Sequence, residues 1–219
     1  MNEASGNRGN AGYASFRGAL LSGQLQPGVT LTQAELCETL GMSLSPLRDT
    51  LTLLEADGLV SIRRRAGVTV VEPDVAFIRR NFQFRTLIEG EAIVRFAEAV
   101  PADWLADMRT RHQAALDRVS PRSDMIALGH LLGEVDQDLH RSIVAALRNP
   151  MIDDTHAQLQ ENLKLARVLS HDLMSPSKVA ETLKEHLVVI EKLAEGDTHG
   201  SAEALDAHFR AAIHRVFAG

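Results

Sequence analysis

Cysteine is almost missing from this 219-residue chain; Cys37 stands alone, so no disulfide can form within it. That usage fits a reducing cytoplasm, the expected location. Cys37 lies in AELCETLG at an inward-facing helical position, where a small core residue is the expected role rather than a redox switch. Aromatic residues are also scarce, at 4% of a chain that is 45% hydrophobic. The core must therefore be built from Leu, Ala, Val and Ile, which recur at helical spacing over long stretches. Long apolar runs are lacking as well. No stretch approaches the ~18 consecutive apolar residues of a membrane span. The polar start MNEASGNRGN has no apolar run behind it, which speaks against a secretory leader.

An overall positive charge, common in small nucleic-acid binders, is the last absence: the formal net charge is −6. Its distribution matters more than its total. Residues 1–73 carry six basic and seven acidic side chains, whereas the remainder carries seventeen and twenty-two. In the front segment three arginines, Arg63, Arg64 and Arg65, stand next to one another.

Residues 1–10 are polar and Gly/Asn-rich and read as disordered. A first helix is expected from about Tyr13 to Ser22, with Phe16, Leu20 and Leu21 inward, broken by the turn chemistry of Pro27-Gly28. Thr32 caps a second helix that runs through Leu40, buries Leu36, Cys37 and Leu40, and ends at Gly41. Ser45-Pro46 reads as the start of a third, with Leu47, Leu51 and Leu54 as its buried stripe and Gly58 as its end. Two short helices about three residues apart form a helix-turn-helix. Arg48 then projects from the first turn of the second helix, the end that enters a major groove in this motif. After Gly58 the period becomes two: Val60 and Ile62, then Val68 and Val70, flank RRRAG, in which Gly67 supplies an unusual turn conformation. This is a hairpin with a basic tip, suited to phosphate contact.

Glu72-Pro73-Asp74 separates this unit, residues 11–73, from an all-helical remainder, residues 74–219. Helices are expected at about 74–99, 101–118, 123–148, 151–173, 177–195 and 201–217. Six helices with short connections suggest an antiparallel bundle, so the fold class is mainly α: a winged helix-turn-helix followed by a six-helix bundle.

LQPGVTLTQAELCETLGMSLSPLRDTLTLLEADGLVSIRRRAGVTV resembles the DNA-binding domain of GntR-type regulators. The resemblance rests on the PG turn, the helix ending in LG, S-x-S-P-x-R-D, EADGLV and the wing Gly. FRTLIEGEAIVRFAEA, EVDQDLHRSIVAALRNP, EHLVVIEKLAEGD and AHFRAAI are similar to the FCD ligand-binding domain of the FadR-like branch. The resemblance implies double-stranded DNA as partner, a homodimer on an inverted repeat, and a small carboxylate effector. Ser43, Ser45, Arg48, Arg63, Arg64, Arg65 and Gly67 are the candidate DNA-contacting residues. Leu44 departs from the family, which usually has Arg there, and shifts the burden of binding to Arg48, the two serines and the wing.

Asp136 and His140, four apart on one helix, share a face. His186 is flush with the apolar stripe of Val179, Leu183, Leu187 and Ile190, and His208 sits beside Leu205, Phe209 and Ala212. Singly, such residues are more often core histidines. The resemblance implies that all four form one Asp/His₃ site for a divalent metal, zinc foremost, with nickel, iron or manganese also suited to these donors. Arg85, in FRTLIEG, is the candidate partner of an effector carboxylate; a surface salt bridge with Glu89 is the alternative. His112, His130, His156, His171, His199 and His214 are expected to be structural or solvent-exposed. Two other functions compete with the ligand-responsive regulator: a metal-dependent hydrolase, and a sensor for which the metal itself is the signal.

Overall fold

The structure, a computed structural model, describes residues 11–63, 66–72, 74–169 and 175–217. The chain divides into two compact units, Met1–Asp74 and Val75–Gly219.

In the first unit, α1 (Ala11–Leu21), α2 (Gln33–Leu40) and α3 (Leu44–Ala56) pack on one another beside a three-stranded antiparallel sheet. α2 starts with a capping box: Glu35 N–H donates to Thr32 Oγ1, and Thr32 N–H donates to Glu35 Oε2 at 2.7 Å. α3 starts at Leu44 with Ser43 as its N-cap, two residues before the expected start, so Pro46 lies in the first turn rather than at its head. Phe16, Leu20, Leu36, Leu47, Leu51 and Leu54 fill the core. Burying each such leucine is worth roughly 1.5–3 kcal/mol. Leu21 is exposed instead, and Cys37 and Leu40 are only half-buried, because α2 presents one narrow stripe centred on Leu36.

The wing strands β2 (Val60–Arg63) and β3 (Gly67–Val70) pair as expected, but β3 also pairs with a short strand, β1 (Thr30–Leu31), that the two-residue run did not disclose. Val60, Val68 and Val70 face the core; Ile62 is exposed, since β2 leaves the core before its end. Gly67 has φ +108°, and a Cβ there would lie 2.6 Å from the Leu31 carbonyl oxygen, so β1 and the wing approach this closely only with glycine. Ile62 N–H donates to Glu55 Oε1 at 2.8 Å, tying the wing to α3.

The second unit is a bundle of α4 (Val75–Ala97), α5 (Ala102–Asp117), α6 (Met125–Ala145), α7 (Pro150–Leu169), α8 (Pro176–Ala194) and α9 (Thr198–Phe217). Asp124 caps α6 and Ser175 caps α8, each accepting a backbone N–H three residues on, with Pro176 in the first position of α8. α4 packs on α6, α7 and α9, while α8 packs on α5, α6 and α9. Ala115, Leu132, Val135, Val179 and Leu183 form an apolar cluster among α5, α6 and α8. Between α6, α8 and α9 the apolar interior gives way to histidine.

Candidate metal centre and nucleic-acid interface

The structure brings His140 of α6, His186 of α8 and His208 of α9 together, with one ring nitrogen of each within 4.8 Å of the others. All three are buried. Asp136, one turn before His140, places Oδ1 3.8 Å from His140 Nε2 and 3.7 Å from His186 Nε2. Donors to one zinc ion at ~2.1 Å sit about 3.4 Å apart in a tetrahedron, so these separations approach that scale. His140 Nε2 and His186 Nε2 are buried and make no hydrogen bond among the described residues. Such orphaned acceptors are costly in an apolar interior and suit a cation.

Two carboxylates set the ring orientations from outside. His140 Nδ1 lies 2.5 Å from Glu89 Oε2, and His208 Nδ1 lies 2.8 Å from Glu185 Oε2. An ionised carboxylate only accepts, so each Nδ1 carries the proton and each Nε2 keeps its lone pair. Burial would raise the Glu89 carboxyl, but the Arg85 charge, His140 and the hydrogen bonds from His140 and His156 hold it well below the usual carboxylate range. Burial likewise opposes ionisation of Glu185, yet the hydrogen bonds from Arg215 and His208 bring it down to about 2. Burial first, partly offset by Glu89, lowers His140 to about 4. Burial and then the neighbouring His208 and His140 push His186 well below its ordinary value. His140 and His186 are therefore neutral near pH 7, the state a metal ligand needs.

Arg85 pairs with Glu89, Nε to Oε1 at 2.7 Å, but both are buried, so this is no surface salt bridge. Its guanidinium lies 5.2 Å from the Phe209 ring centroid, and its Nη2 is buried without a hydrogen bond. His112 and His156, expected to be structural or solvent-exposed, are buried and border the centre. His156 Nε2 meets Glu89 Oε1 at 2.9 Å, and His112 Nε2 meets His186 Nδ1 at 3.2 Å. The signal available for His112 was its place in the stripe Met108, His112, Ala115, masked by the charged residues between them. Glu89 and Glu185 gave only helical spacing to Arg85 and adjacency to His186. His130, His199 and His214 are exposed, and His171 falls outside the described residues.

In the first unit, Ser43, Leu44, Ser45 and Arg48 are all exposed at the N-terminal end of α3. Arg63 is exposed at the end of β2; Arg64 and Arg65 lie outside the described residues. A helix start that exposes two serine hydroxyls and an arginine one turn in has the donors for phosphate and base-edge contacts.

Residues 11–70 match the family described as bacterial regulatory proteins, gntR family, and residues 81–211 match the FCD domain. The chain belongs to this family: it is a DNA-binding transcriptional regulator of the GntR type with an FCD domain. It is 26% identical over 205 residues to an HTH-type transcriptional regulator in an unstable DNA locus of Streptomyces ambofaciens, covering 93% of this chain and 83% of that one. It is 22% identical to the Escherichia coli HTH-type transcriptional repressor RspR, covering 90% and 84%. The solved structure of E. coli McbR/YncC has the same fold, with TM-score 0.70 at 19% identity over 100% of this chain and 99% of that one. The family consists of regulators rather than enzymes, which removes the hydrolase alternative. Among the described residues no helix is long and apolar enough to cross a membrane.

Proposed function

We propose that the C-terminal domain holds one divalent cation, zinc foremost, through Asp136, His140, His186 and His208, and that a small carboxylate effector bound beside it controls operator binding. The observation that carries this reading is the convergence of three buried histidines on one point, two of them with Nε2 atoms that have no hydrogen bond. The ion would supply Lewis acidity and positive charge for an anionic ligand. Arg85, paired with Glu89 through Nε and set against the Phe209 ring, keeps a buried Nη2 without a hydrogen bond, which would make a second contact to the carboxylate.

DNA is read by Ser43, Ser45 and Arg48 at the start of α3, with Arg63, Arg64 and Arg65 on phosphates and Gly67 shaping the wing. Such a reader covers a short half-site, and two are needed for an inverted repeat. The dimer reading is supported by Phe84, Leu87 and Val94, which leave an exposed apolar stripe along α4 at spacings of three and seven. The expected home is the cytoplasm.

Elemental analysis of the purified chain should find about one divalent metal per chain. Small organic acids should then change operator affinity only in the metal-loaded protein. A response to organic acids that survives complete metal removal would overturn the reading. Metal alone switching DNA binding, with no acid effective, would make the ion itself the signal.

A further inference from the structure

We propose that His112 is a positioning residue that fixes the tautomer of His186, so that His186 turns a bare Nε2 toward the centre; this rests on the metal-centre reading. The other two histidines have carboxylates behind them, Glu89 and Glu185, whose acceptor character settles where the proton sits. His186 has none. Its Nδ1 faces His112 Nε2 at 3.2 Å, the rings meeting edge-on at 72° with centroids 5.3 Å apart. Two ring nitrogens cannot both accept, so one of them must donate.

The backbone decides which. His112 Nδ1 lies 2.8 Å from the carbonyl oxygen of Met108, one turn back on α5. A carbonyl oxygen only accepts, so Nδ1 of His112 carries the proton. A neutral imidazole has one N–H, which leaves His112 Nε2 as an acceptor. His186 Nδ1–H therefore donates to it, and the lone pair of His186 is left on Nε2, 3.7 Å from Asp136 Oδ1. The sequence of donation runs from His186 through His112 to a main-chain oxygen, wholly inside the bundle, with both rings inaccessible to solvent. Unlike Glu89 and Glu185, this device orients a ligand without adding negative charge near the ion. An aromatic ring of similar size would fill the space but could not accept the hydrogen bond, so packing alone does not account for the residue.

Nitrogen-detected NMR of the histidine rings in the metal-free full chain, at neutral pH, tests the tautomer directly. The expected spectrum has His186 protonated at Nδ1 and bare at Nε2; protonation at Nε2 overturns the proposal. Zinc titration against a chromophoric chelator tests the consequence. His112→Phe should weaken zinc binding by roughly 10–100-fold, the usual cost of removing an outer partner of a metal-bound histidine. His112→Gln, whose amide oxygen can take the same hydrogen bond, should recover most of that loss, and His130→Ala on the exposed face should change nothing. His112→Phe that folds and binds zinc as tightly as the wild type overturns the proposal. If His112→Phe does not fold, His112→Gln and the wild-type spectrum still decide it. A wild-type chain that takes up no zinc defeats the metal-centre reading, while the spectrum continues to test the tautomer.

Discussion

Glu89→Gln changes one atom type at a carboxylate with three buried partners. The carboxylate accepts Arg85 Nε and His156 Nε2 on Oε1, and His140 Nδ1 on Oε2. An amide keeps one acceptor, which best remains opposite Arg85 and His156, so its NH₂ faces His140 Nδ1. Two donors then meet unless His140 moves its proton to Nε2, the atom directed at the metal centre. Loss of the charge also leaves the buried Arg85 guanidinium without its counter-ion, a change that typically costs about 3–5 kcal/mol. Urea unfolding followed by Trp104 fluorescence measures this cost in the right domain. Trp104 is the single tryptophan of the chain and packs edge-on against Phe96 on the neighbouring α4, with centroids 4.8 Å apart. The expected result is destabilisation of that size together with clearly weaker zinc uptake. A loss below ~1 kcal/mol with wild-type zinc affinity would refute both the buried pair as a structural element and Glu89 as the orienting group of His140.

Four further outcomes follow from the same structure. The folded-state pKa of His140, about 4, lies below its ordinary 6.5, so the unfolded chain takes up the proton first as pH falls. The metal-free domain should therefore keep its stability above about pH 6.5 and lose on the order of 3 kcal/mol towards pH 4; a urea midpoint that is flat from pH 7 to 5 would contradict this. Arg48→Ala should weaken specific operator binding by roughly 1–3 kcal/mol, and Leu44→Arg should steepen the salt dependence by about one phosphate contact; a titration at several salt concentrations that finds neither would remove the start of α3 from the interface. Leu87, 69% exposed on α4, should be central to self-association, so Leu87→Glu should shift the sedimenting species from about twice the 23.9 kDa chain mass to once; an unchanged dimer would place the contact elsewhere.

Much of this protein is legible in its sequence, because helices and hairpins announce themselves locally. Thr32 as a cap, the Leu47, Leu51 and Leu54 stripe, and the alternation across Gly67 each lie within one or two turns of chain, where period and capping chemistry decide the structure. Asp136 and His140 were paired for the same reason: four residues is one helical turn. The start of α3 was misplaced by two residues because Ser43 and Ser45 offer equal caps and Pro46 is tolerated anywhere in a first turn. β1 was missed because two residues carry no periodicity; it exists only through its partner β3. What only the tertiary structure decided is which polar groups meet inside the bundle. Arg85 and Glu89 gave the same spacing whether exposed or buried, and only packing of α4 against α9 and α6 took them out of water. His112 sits among charged neighbours on α5, and its role depends on His186, 74 residues away. Helical spacing specifies which face a side chain takes, but the proton positions at this centre depend on acceptors contributed by other helices, and those neighbours exist only once the bundle is packed.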